Sequence, residues 1–242
     1  MSNETIRVVR DHDKLYLAED RKDTPKESFK FLAACAKGFL QSRPQPRIID
    51  VGCATGDLLY FLANRYPQAQ LTGMDVMPEL IERARTAVPT ASFVEGDIYT
   101  GNGVPTETFD AVLMSGVHSI FDRHEPWLDQ LLKLAGERGR VFVFGIFNPE
   151  NLDVLIKVRA SGSQGPWQSG WNLVSKDTVG GYLRAKGRTF RFHDWEIPLD
   201  LPPHPDDPLR SWTVRLENGR RQIVNGLQLI HTFSVLEIDS AV

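Results

Sequence analysis

The sequence predicts an α/β fold: a doubly wound, mostly parallel sheet with helices on both faces. Three observations carry this. Short apolar runs alternate with longer amphipathic segments, a glycine-containing turn joins the first such pair, and acidic residues end several predicted strands. With 242 residues, 41% of them hydrophobic, the chain can bury a full core, and one decorated domain is expected rather than two.

The elements follow in order. Thr24 as cap, Pro25 in the first turn and Glu27 reaching back predict a helix running to about Leu40, with Phe29, Leu32, Ala36, Phe39 and Leu40 on one stripe. Pro44 and Pro46 stop it. Arg47 to Val51 reads as a strand and Asp57 to Tyr66 as a helix closed by Pro67. The rhythm repeats through strand Gln70 to Asp75, helix Pro78 to Val88, and strands Ser92 to Glu95 and Asp110 to Met114. Helix Pro126 to Ala135 and strand Val141 to Phe147 follow. Asn148 to Ser175 breaks the pattern and reads as an inserted cap. Helix Asp177 to Ala185 and strand Thr189 to Ile197 resume the core. A proline-rich loop then leads to a hairpin, Trp212 to Glu217 and Arg221 to Val224, turning at Asn218-Gly219, before a last strand, Leu227 to Ile238. This gives an arm and flanking helix over 1–46, a ligand-binding core over 47–148, a cap over 149–175, and completion of the sheet over 176–242 with a hairpin insertion near 198–224.

Composition narrows the function. A net charge of −3 without any Lys/Arg run argues against a nucleic-acid partner and for a small one. The two cysteines, Cys35 and Cys53, form neither a metal motif nor a disulfide framework, so a reducing cytoplasm is the expected compartment. Met1 to Arg10 is polar without an apolar h-region, so no export signal is expected, and the longest apolar run is too short for a membrane span. Oligomeric state is not legible.

The chemistry concentrates in Ile48-Ile49-Asp50-Val51-Gly52-Cys53-Ala54-Thr55-Gly56-Asp57. Glycines directly after a parallel strand let the backbone turn tightly and approach a ligand, whose polar end meets main-chain groups at a helix start. Asp75 ends the second strand, where a carboxylate accepts from both ribose hydroxyls. Asp97, just beyond the third strand, can accept from an exocyclic adenine amine while the Ile98 N–H serves a ring nitrogen. Each acid alone also reads as a loop cap; three in register at strand ends point to an adenosyl ligand. A dinucleotide fold remains open on the turn alone.

These residues resemble the class I S-adenosylmethionine-dependent methyltransferases, whose first motif is usually written D-x-G-C/S-G-x-G. The resemblance covers roughly Arg47 to Asn148. The chain departs from it at Ala54, which replaces the middle glycine. The resemblance implies a Rossmann-like methyltransferase fold with an antiparallel last strand, and S-adenosyl-L-methionine as cofactor. It places Asp50 and the Gly52, Cys53, Ala54 and Gly56 backbone beside the methionine moiety and Asp75 on the ribose. Val76 or Met77 would border the adenine, Asp97 and Ile98 would meet its edge, and Met114 and Ser115 would offer a carbonyl to the amino group. Tyr16 is a candidate for closing over the cofactor.

His118, following the fourth strand, is the candidate catalytic base, with a packing role as the equal alternative. No ligand spacing for a catalytic metal is seen. Trp167 and Trp171 in the cap are candidate stacking surfaces. The cations Lys157, Arg159, Lys176, Arg184, Lys186, Arg188 and Arg191 favour an anionic or glycosyl acceptor, most simply methylated on oxygen. Nitrogen or carbon methylation, a nicotinamide-dependent oxidoreductase and a noncatalytic sensor of the cofactor are the rival readings.

Overall fold

The computed structural model describes residues 11–18 and 20–240. Met1 to Arg10 lies outside them. Seven strands build the main sheet: β1 (Arg47–Val51), β2 (Gln70–Asp75), β3 (Ser92–Glu95), β4 (Ala111–Ser115), β5 (Arg140–Asn148), β6 (Phe190–Trp195) and β7 (Phe233–Ile238). Their order is β3-β2-β1-β4-β5-β7-β6. The first five are mutually parallel, and β7 runs antiparallel to both β5 and β6. Strands buried on both faces need apolar residues at every position rather than alternate ones, which is how Arg-Val-Phe-Val-Phe-Gly-Ile-Phe-Asn in β5 reads.

Side-chain alternation divides the core into two layers. Ile48, Leu113 and Phe142 face α1 (Glu27–Gln41), α2 (Asp57–Arg65) and α3 (Pro78–Ala87). Ile49, Val112 and Val143 face α4 (Glu125–Ala135) and α5 (Lys176–Ala185). Because successive strand residues point to opposite faces, each strand feeds both layers. β1 has β2 on one side and β4 on the other, and the helices that follow β1 and β4 lie on opposite faces, so a crevice forms beyond the carboxyl ends of these strands.

Two expected boundaries shift. α1 starts at Glu27 with Lys26 in the N-cap position and no side-chain cap, so Thr24 and Glu27 do not form the expected box. The preceding segment is tied instead to α2, where Asp57 Oδ1 accepts the Arg21 N–H at 3.3 Å. β7 starts at Phe233 rather than near Leu227. Asn225 bends the intervening stretch, its Oδ1 accepting the Leu227 N–H at 3.0 Å and its Nδ2 donating to the Leu209 carbonyl at 3.2 Å. The hairpin Trp212–Arg215 with Arg221–Val224 forms as expected around Asn218-Gly219.

Residues 149–175 carry small β elements. Lys157–Val158 pairs with Gln168–Ser169, and Val174–Ser175 extends the sheet beside the end of β5. Asn172, buried, fastens this excursion to the loop after β4. Its Oδ1 accepts the Ile156 N–H at 2.7 Å, and its Nδ2 donates to the Phe121 carbonyl at 3.0 Å and to Asp122 at 3.1 Å. Asp122 also accepts from Lys157 and Ser169.

Candidate active site

The turn after β1 is built on positive φ. Gly52 (+77°) and Gly56 (+84°) lie in the left-handed region, and so does Ala54 (+47°), a conformation that L-residues with a Cβ adopt at a cost. A Cβ on Gly52 would stand 2.4 Å from Val117 Cγ2, so the bare backbone is needed for close approach as well as for the turn. Gly56 opens α2 as its N-cap.

Asp50, Asp75 and Asp97 line one cavity of about 240 Å³ at the carboxyl ends of β1, β2 and β3. Asp50 is 2% exposed, and its Oδ1 has no hydrogen-bond partner. Burial, with the nearby Asp75 carboxylate adding to it, pushes its pKa up to about 7. Asp75 is held by the chain itself, Oδ2 accepting the Ala54 N–H at 2.9 Å and Oδ1 the Met77 N–H at 3.0 Å. Its pKa is also raised by burial, against the lowering effect of those N–H donors. Asp97 caps its own turn, Oδ1 accepting from the Tyr99 and Thr100 N–H groups at 2.8 and 3.3 Å, and borders the cavity at the same time. The capping role and the ligand-facing position therefore coexist in one residue.

Cys53, Ala54, Val76, Met77, Ile98 and Ser115 share this lining with Gly52, whereas Gly56 shapes the turn from outside it. Met114 does not line it: the side chain is fully buried in the core beneath, because neighbouring strand positions point to opposite faces. Tyr16 lies at the wall, with Lys26 and Ser28 from the start of α1.

A second cavity, of about 840 Å³, adjoins the first and shares Tyr16, Lys26, Ser28, Gly116 and Phe144 with it. Its farther walls come from β6, the loop after it, the hairpin region and the start of β7, including Trp195, Ile197, Leu201, Ile223 and Phe233. Trp171 reaches this cavity from the cap. Trp167 lines neither; it is 60% exposed and carries Arg159 over its ring at 4.7 Å. The cationic cap reading is corrected likewise. Lys157, Lys176, Lys186 and Arg191 pair with Asp122, Asp194, Asp129 and Glu237, Arg184 packs on Phe190, and none of the seven borders either cavity.

His118 stands apart from both cavities. Its ring is 2% exposed and stacks on Phe147 at 4.4 Å, and its Nε2 lies 2.9 Å from the Ile146 carbonyl. A carbonyl only accepts, so Nε2 carries the proton and Nδ1 is left bare and buried without a partner. Burial lowers its pKa to about 4. Gly145 makes room for the ring, since a Cβ there would sit 2.0 Å from His118 Cε1. The strand-end position at the rim was legible; the rotation of the ring into the core was not.

Sequence reasoning missed Lys26, Ser28, Phe144, Trp195 and Phe233. The register of β5 against β4, which sets Phe144 beside Ser115, is the signal that identifies Phe144. Among the described residues, no group of three or more His, Cys, Asp or Glu is placed to hold a metal, and no helix is long and apolar enough to cross a membrane.

Residues 48–139 match the family model described as a methyltransferase domain. A trans-aconitate 2-methyltransferase of Rhodopseudomonas palustris is 30% identical over 124 residues, 50% of this chain and 46% of the relative. One from Escherichia coli O1:K1 / APEC is 33% identical over 104 residues, 43% of this chain and 39% of the relative. The matched region thus spans less than half of these relatives' length. Among solved structures, a putative methyltransferase in complex with the Haloferax volcanii Trm112 activator superposes with a TM-score of 0.61 at 17% identity, covering 97% of this chain and 100% of that one. A TehB-like SAM-dependent methyltransferase from Corynebacterium glutamicum gives 0.53 at 18%, covering 95% and 98%. Residues 48–139 thus match a methyltransferase domain, and the sheet, with its antiparallel last strand, has the Rossmann-like methyltransferase order.

Proposed function

We propose that the protein transfers the methyl group of S-adenosyl-L-methionine to an oxygen of a small anionic acceptor. The observation that carries this is the convergence of Asp50, Asp75 and Asp97 with the Gly52 turn on one cavity that opens into a second. The residues fit the cofactor's charge: a buried carboxylate oxygen without a partner suits a cationic ligand, and the Gly52 backbone borders the same cavity. Asp50 and the Gly52 to Ala54 backbone would hold the methionine end, with the Ser115 carbonyl toward its amino group. Asp75 would take the ribose through the lone pairs that its two backbone N–H bonds leave over, and Val76, Met77, Asp97 and Ile98 would surround the adenine.

The bound sulfonium supplies an already activated methyl group, so the chain's task is alignment and exclusion of water. Alignment of this kind contributes up to roughly 7–11 kcal/mol in favourable cases. The curated relatives are named for trans-aconitate, an acid, which supports oxygen of an anion as the acceptor atom. Calorimetric titration tests the reading: S-adenosylmethionine should bind, Asp75→Ala should weaken it at least tenfold, and incubation with acceptor acids should release S-adenosylhomocysteine. Tight NADH binding with none for S-adenosylmethionine would return the site to the dinucleotide class.

A further inference from the structure

The lining of the second cavity specifies more about the acceptor than its charge, given the reading above. Phe144 and Phe233 stack at 5.3 Å, and both meet Trp195 edge-on, at 5.1 and 6.0 Å. All three line this cavity, and Phe144 also borders the cofactor side. The wall continues in Ile146, Ile197 and Ile223. Ionised groups pressed against such a surface lose their hydration without gaining donors in return, whereas an apolar or ring-bearing body fits it. Arg21, Lys30, His204 and Arg210 also line this cavity, Arg210 paired with Asp207, so it is the aromatic wall itself that a polyanion fits poorly.

The junction is different. Of the side chains shared by the two cavities, Lys26 is the charged one, with its Nζ 5.3 Å from the centre of the Tyr16 ring. We propose that the acceptor is an amphipathic monoanion, its single ionised oxygen group held at the junction beside Lys26 and its apolar body lying on the Phe144–Trp195–Phe233 wall. This is consistent with the withdrawal of His118 into the core. An oxygen that arrives ionised needs no base: its lone pair forms the C–O bond, the S–CH3 bonding pair leaves with sulfur, and no proton moves.

The test is binding to the full chain saturated with S-adenosylhomocysteine, followed by calorimetry. The probes are 3-phenylpropionate, 4-phenylbutyrate and decanoate, the neutral 3-phenylpropanamide, and the polyanions trans-aconitate and citrate. At least one monocarboxylate should bind tenfold or more tighter than both polyanions, and 3-phenylpropionate tenfold tighter than its amide. Lys26→Met should erase the preference for acid over amide. Trp195→Ala should weaken the aryl acids tenfold with cofactor affinity unchanged, and Trp195→Phe, which keeps an aromatic wall, should restore most of it. Tighter binding of trans-aconitate, an acid preference that survives Lys26→Met, or binding of none of the acids to cofactor-loaded protein overturns the inference and leaves the methyltransferase reading standing. Failure of the protein to bind the cofactor at all removes both.

Discussion

Asp50→Asn should make the ligand-free protein more stable at neutral and alkaline pH while damaging cofactor binding. The carboxyl group titrates near 3.8 when exposed and at about 7 when folded, because burial and Asp75 both oppose its ionisation. A group whose folded pKa is raised contributes stability that is complete below the unfolded value and lost as pH climbs to the folded one. At 1.36 kcal/mol per pH unit, the loss between pH 5 and pH 8 is on the order of 2–3 kcal/mol. Asparagine keeps the shape and stays neutral, so the variant escapes that loss. The buried histidines His118 and His231, each lowered to about 4, act in the opposite sense, destabilising the fold as pH falls through the range below 6.5. Comparing the variant with the wild type at each pH cancels their contribution. Urea unfolding of both proteins at pH 5 and pH 8, without ligand, should therefore show an Asp50→Asn advantage larger at pH 8 by about 2–3 kcal/mol. Equal differences at the two values would refute the argument that Asp50 is held against its own ionisation. With S-adenosylmethionine added, the wild type should recover stability and the variant should recover less, since the cation offsets the buried charge only where the charge exists.

Three further outcomes follow from the same geometry. Ala54→Gly releases a left-handed strain of about 1–2 kcal/mol and adds unfolded-state freedom worth about 0.5–1 kcal/mol; a melting temperature raised by roughly 1–3 °C is expected, and a clear fall would contradict the strain. His118→Ala opens a hole under Gly145 and should cost about 2–4 kcal/mol of stability. The pH profile of kcat should keep its shape, which loss of a base would not allow. Asn172→Ala removes the clamp between the cap and the loop after β4 and should cost about 1–3 kcal/mol, with proteolysis first appearing within residues 149–171.

The parallel core was legible because its signals are local. β1, β2 and β3 begin and end as the apolar runs do, and the glycines after β1 mark a turn that few other residues can make. The convergence of the three acids on one cavity was legible for the same reason, since a parallel sheet puts strand ends on one edge whatever the packing. The second cavity was not. Its wall joins Phe144, Trp195 and Phe233 from three strands with the start of α1, and only the order β5-β7-β6 makes them neighbours. The cap misled because a run of cations in sequence has no direction. Each of Lys157, Lys176, Lys186 and Arg191 finds an acid contributed by another segment, and such pairs are invisible in composition.

His118 and Asp50 show how one physical quantity separates structure from function. Both are buried to 2% exposure, and both have a polar atom without a partner. His118 accommodates burial by staying neutral, with its one N–H spent on a carbonyl and its ring stacked in the core, so nothing in its surroundings calls for a ligand. Asp50 faces a cavity, and a carboxylate placed there beside a second carboxylate destabilises the empty fold unless positive charge arrives. The cost to the empty protein is thus the same interaction that would favour a cationic ligand. That is why the first variant should gain stability where it loses binding, a pairing that a merely structural aspartate would not produce.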